Sequence, residues 1–145
     1  MSNHHLALLI GGLIPALLFG SAGIFQKICA QQGISSGLFL ICVGLGNLIV
    51  GAAALMIQGY DDVTLKQCIP GLAMGMSLGV GTLLVVYAIA QYQVPISKLA
   101  PLYNMNTLVT VIAGLLIFSE WKTVNGSSVI IGSILIILGG IVVSS

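Results

Sequence analysis

The fold class this sequence predicts is an all-α integral membrane protein of about five transmembrane helices, and three observations carry that expectation. Of 145 residues, 58% are hydrophobic and only 5% are charged, where an ordinary soluble domain carries roughly a quarter. Mean hydropathy is strongly positive, so too few polar side chains remain to cover a water-facing surface. The apolar residues also gather in five runs, each near the roughly 20 residues that a helix needs to cross hydrocarbon.

The first run covers 6–29. It lacks a basic leading region, is too long for a signal-peptide core and has no suitable small-residue cleavage site, so it reads as a retained helix. The second run covers 37–57 and the third 70–90, opening on Pro70. The fourth covers 100–118 and is introduced by 94–101, in which Pro95 and Pro101 bracket Lys98. Proline removes a donor and restricts the residue before it, so this segment is expected to bend near the membrane surface. The fifth run covers 124–143. The charged side chains Lys27, Asp61, Asp62, Lys66, Lys98, Glu120 and Lys122 all fall at or near the connections, which are short. Residues 1–145 therefore read as a single transmembrane domain without an extramembrane part, its termini on opposite faces.

Helices in lipid associate by close backbone approach at small residues. Gly71, Gly75 and Gly79 make a ridge on the third run, Gly12, Ala16, Gly20 and Gly23 a face of the first, and Gly44, Gly51 and Ala54 a face of the second, with Asn47 among them. The fifth run repeats Gly126, Ser133 and Gly140 at intervals of seven, beside Gly132 and Gly139, a seam suited to a partner helix. Plain packing accounts for most of these glycines.

Polar side chains facing lipid are costly, so a stripe of them points to a cavity or to bonds between helices. At 100° per residue, Tyr103, Asn106, Thr107, Thr110 and Gly114 fall near one line of the fourth run, with Asn104 on its flank. Ser77, Gly81, Tyr87 and Gln91 share a face of the third, roughly opposite its glycine ridge. Ser77, Tyr87, Tyr103, Asn106, Thr107 and Thr110 are the candidate substrate contacts. Lys98 joins them as a residue able to meet an anionic or hydroxylated substrate, its competing role being that of a snorkelling anchor.

Several chemistries lack their residues. Cys29, Cys42 and Cys68 have no metal-ligand spacing and no disulfide framework. His4 and His5 are adjacent at the N-terminus, without a partner pattern for haem, and no phosphate loop or HExxH motif occurs. An enzyme, a resident cofactor, a metal site and a nucleic-acid partner are therefore not expected. No acidic residue sits mid-run, and Glu120, beside Trp121 and Lys122, reads as a solvated structural charge at the interface.

Leu18-Phe19-Gly20-Ser21 followed by Lys27, Tyr87 to Pro95 and Pro101, Ser119-Glu120, and Gly126, Gly132 and Gly139 together resemble the EamA-like domain of the drug/metabolite transporter superfamily. Phe19 stands where tryptophan is usual, and Ser119 where a glycine is common. The resemblance covers essentially the whole chain as a single five-helix repeat. It implies half of a ten-helix fold, a multi-pass location in a bacterial inner membrane, and a secondary transporter or exporter of a small organic metabolite working by alternating access as a dimer. The other class of function open to such a chain is a non-transporting membrane subunit that scaffolds a larger complex, which needs the small-residue faces but no cavity. Lys66 and Lys122 fall on the N-terminal side of the membrane, Lys27 and Lys98 on the other, and there is no arginine. Orientation follows such counts, so the tie permits an antiparallel homodimer beside a parallel one or a distinct partner.

Overall fold

The computed structural model describes residues 3–59 and 63–144, all of whose regular elements are helical. Asp61 and Asp62 of the second connection lie outside the described residues. In order the elements are α1 (Asn3–Leu8), a π-helical turn (Leu9–Leu13), α2 (Ile14–Gln31), α3 (Ser36–Gln58), α4 (Leu65–Tyr92), α5 (Ile96–Tyr103), α6 (Asn106–Ile117), a 3-10 turn (Glu120–Lys122) and α7 (Gly126–Ser144). Five helical stretches are long and apolar enough to cross a membrane: His5–Gln31, Ser36–Gln58, Leu65–Tyr92, Ile96–Ile117 and Gly126–Val143. The chain is thus an all-α, multi-pass membrane protein, and its side chains agree with that: large apolar groups such as Met56 and Ile57 stand about as open as a side chain can, at 85% and 86% exposure. A surface this bare of polar cover suits lipid.

Prolines and caps set the local departures. Pro15 has no N–H and its ring crowds the carbonyl four residues back, so the preceding turn widens and Ile14 N–H reaches Leu9 C=O instead. The third span begins at Leu65, five residues before the expected Pro70. Thr64 and Gln67 hold its start: Gln67 Oε1 accepts from Thr64 N–H at 2.7 Å, and Gln67 N–H donates to Thr64 C=O at 2.9 Å. Pro70 is then an early helical residue that forgoes one backbone bond.

The chain forms two compact units, Met1–Gln93 and Val94–Ser145. In the first, α4 packs against both α2 and α3. Its packed face carries Gly79, Thr82, Leu83, Val86 and Ile89, at helical spacing, with Val86 fully enclosed. Leu40 of α3 lies over Gly79, where a Cβ would be 3.7 Å from its Cδ2. Gly71 and Gly75, the rest of that ridge, have nothing within 4 Å of a Cβ position. In the second unit α7 packs against α5. Gly140 is buried there and faces Met105 and Pro101: a Cβ would sit 2.9 Å from Met105 Sδ. One residue of the expected α7 seam is therefore used within the chain, while Gly126, Gly132 and Gly139 stay open.

Candidate functional site in the fourth span

The fourth span starts earlier than expected and breaks later. Gln93 ends α4 in the left-handed region at φ 53°, and Pro95, held extended at ψ 132°, supplies the first carbonyl of α5. Lys98 and Leu99 N–H donate to that carbonyl at 3.0 and 3.2 Å. Pro101 is taken into α5. The interruption falls at Asn104 and Met105, where the spacing tightens from four residues to three: Met105 N–H donates to Leu102 C=O at 3.2 Å, Thr107 N–H to Asn104 C=O at 3.2 Å and Leu108 N–H to Met105 C=O at 3.0 Å. Asparagine favours such turns, and the notch at Gly140 receives the Met105 side chain, which fixes the turn from outside.

The break divides the polar stripe. Tyr103 closes α5 and is half-buried; Asn106, Thr107 and Thr110 open α6 and are exposed. Both threonine hydroxyls turn back on their own helix, Thr107 Oγ1 donating to Asn104 C=O at 3.0 Å and Thr110 Oγ1 to Asn106 C=O at 3.4 Å. With its proton so engaged, each hydroxyl presents only lone pairs outward. Lys98 is exposed in the first turn of α5. Ser77 and Tyr87 belong to the other compact unit, both exposed on α4, and the Tyr87 ring meets Tyr92 edge to face at 6.2 Å between centroids.

Beyond α6 the chain turns through Ser119, a non-glycine residue at φ 56°. That turn folds Glu120 back on the helix it has just left. The carboxylate lies over buried Gly114, where a Cβ would be 2.7 Å from Oε2. Glu120 as a residue is exposed, as expected of an interface charge, but its carboxylate is on the helix. No hydrogen bond or ion pair to that carboxylate occurs among the described residues.

Family models, curated proteins and solved structures yield no match to this chain.

Two features escaped sequence reasoning. The pairing of Glu120 with Gly114 depends on a left-handed Ser119, a conformation that serine does not advertise. In the first unit, Gln26 Oε1 is a buried acceptor without a partner; its neighbour Lys27 drew attention to charge, not to the amide one residue earlier. The three cysteines are free thiols, Cys29 half-buried and the others exposed.

Proposed function

We propose that this chain is a secondary transporter or exporter of a small organic metabolite, an EamA-like half-unit that works by alternating access as a dimer. The observation that carries the reading is the interrupted fourth span: a break at Asn104 and Met105, flanked by Tyr103, Asn106, Thr107 and Thr110, inside a chain otherwise made of apolar helices. Non-helical backbone at membrane depth is tolerated where it is packed in protein or lines a wet cavity, and broken helices recur at transporter binding sites. The pathway residues in this reading are Tyr103, Asn106, Thr107 and Thr110, with Lys98 as a further substrate contact, in a bacterial inner membrane. Purified protein in liposomes should take up at least one member of a panel of labelled amino acids and other small metabolites above protein-free vesicles. Absence of flux across the panel would favour the second reading, a non-transporting subunit, which the open glycine faces at Gly71 and Gly75 also suit.

A five-helix repeat needs a second copy to supply the other half of a rocking pair. The lysine tie favours a homodimer of opposed chains. Single cysteines at Ser35 and Asp62, in a variant without Cys29, Cys42 and Cys68, should each label from both sides of the membrane in about equal parts. One-sided labelling at both positions would rule out the antiparallel pair.

A further inference from the structure

The two halves of the fourth span are held in unequal ways. α7 packs against α5, and at Gly140 it meets the Pro101 carbonyl, 3.9 Å from where a Cβ would be, as well as the Met105 side chain. Among the described residues α6 has no comparable seat on α7; within this unit it packs on the Glu120–Lys122 turn that follows it. That turn is folded back at Ser119 with its carboxylate over Gly114, so α6 and the turn form one piece. The piece joins the rest of the unit at two places, the break at Asn104 and Met105 and the short link 123–125.

The break is built to bend. Met105 N–H is spent on Leu102 C=O and Thr107 N–H on Asn104 C=O, so the Pro101 and Tyr103 carbonyls lose the donors four residues on that a regular helix would give them. A tightened stretch inside a longer helix often marks a hinge. The side chain seated beside it suits a pivot. Methionine is unbranched and has three rotatable bonds, so Met105 can change rotamer and still fill the space at Gly140.

We infer that α6 is the moving arm of this unit: it pivots at Asn104–Met105 on the Met105 side chain held at Gly140, and carries Asn106, Thr107 and Thr110 with it while α5 stays on α7. The inference rests on reading the α6 stripe as the substrate pathway and gives that pathway its moving part. α6 has 12 residues and is about 18 Å long, so a swing of about 20°, the size of a sharp helix kink, moves its far end by about 6 Å. Three residues of extended chain span about 10 Å, so the link 123–125 leaves room for that movement.

The test is a pair of spin-label distances in the full chain in lipid nanodiscs, on a background without Cys29, Cys42 and Cys68, diluted with unlabelled chain so that each distance is read within one copy. Labels at Ser97 and Ile130 report α5 against α7, and labels at Leu116 and Val142 report α6 against α7; all four positions are exposed. The first pair should give one narrow distance, and the second a distribution spread over about 6 Å. Met105→Ala, which empties the seat, should broaden the second distribution further. Gly140→Ala places a methyl where the Met105 sulfur now rests and should shift its centre. Neither substitution should broaden the first pair. A narrow distance for both pairs in the unsubstituted chain would overturn the arm, and so would equal breadth in both. A second distribution indifferent to both Met105→Ala and Gly140→Ala would overturn the pivot. Because the readout is distance, its failure is separable from that of transport: flux with a narrow Leu116–Val142 distance rejects the arm alone, and a mobile α6 without flux rejects the transporter.

Discussion

The units Met1–Gln93 and Val94–Ser145 draw on the same apolar residues and differ in what meets the glycines of their long helices. In the first, α4 runs unbroken for 28 residues through Pro70, and Gly71 and Gly75 face open space. In the second, the corresponding long span is split into α5 and α6, and two glycines are filled, Gly140 by Met105 and Gly114 by Glu120, while Gly126, Gly132 and Gly139 stay open. A glycine on a continuous helix leaves a smooth surface for another helix or for lipid. A glycine opposite a break becomes a notch that fixes a particular side chain in place. Beyond its π-helical turn at Leu9–Leu13 the first unit is the more regular frame, and the second carries a broken span on which specific contacts can be built.

The sharpest way to break this comparison is at the stripe. Asn106→Leu and Thr110→Val should each lower flux in proteoliposomes about tenfold or more, as expected for loss of a hydrogen bond worth one to two kcal/mol in a pathway, with membrane insertion unchanged. Normal flux in both variants would strip the second unit of its special role.

Next is the notch at Gly140. Leucine there must displace Met105 and the turn it holds, and overpacking of this kind costs about 1–3 kcal/mol, seen as a lower Tm in detergent. The matched substitution in the first unit, Gly75→Leu, places its Cβ where nothing lies within 4 Å and should change the stability of the isolated chain by no more than about 0.5 kcal/mol. Equal effects at the two glycines would erase the distinction. If Gly75→Leu instead weakens self-association measured by cross-linking, the open ridge is an interface between chains.

Two smaller effects concern single residues. Gln26→Leu removes an unpaired buried acceptor and should raise stability by up to about 1 kcal/mol; a loss of more than that would mean Oε1 has a partner in the assembled protein. Ser119→Gly relieves a left-handed serine, which costs about 1–2 kcal/mol, against the added backbone freedom of glycine. The net expectation is a gain of about 0.5–1 kcal/mol by the same melting assay.

The five spans were legible because the requirement for a long apolar run leaves little room for error. Their ends were less so. Pro70 reads as a helix start, but the Thr64 and Gln67 pair begins the helix before it. Pro101 reads as the bend, yet α5 accommodates it and the interruption moves on to Asn104 and Met105, where the bonding pattern changes. The stripe on α6 was visible as a periodicity. The direction of its hydroxyl protons was not, since that depends on which carbonyl each threonine can reach. Glu120 was the hardest to place: nothing in a Ser-Glu-Trp-Lys run says that the chain doubles back. Ser119 carries a positive φ, a conformation that glycine adopts more readily than serine.

The π-helical turn at Leu9–Leu13 bears on more than Pro15. A wide turn holds roughly one residue more than an α-turn, so the stretches before and after it are out of phase by about 100°. The line drawn through Gly12, Ala16, Gly20 and Gly23 at constant pitch is consequently not straight, and its first member swings away from the rest. The opening helix behaves as two shorter rulers joined with an offset, each able to align with a different neighbour. Replacing Pro15 with alanine would let the ladder close at regular pitch, bring the two rulers into step, and rotate everything on the N-terminal side of the joint by that same angle.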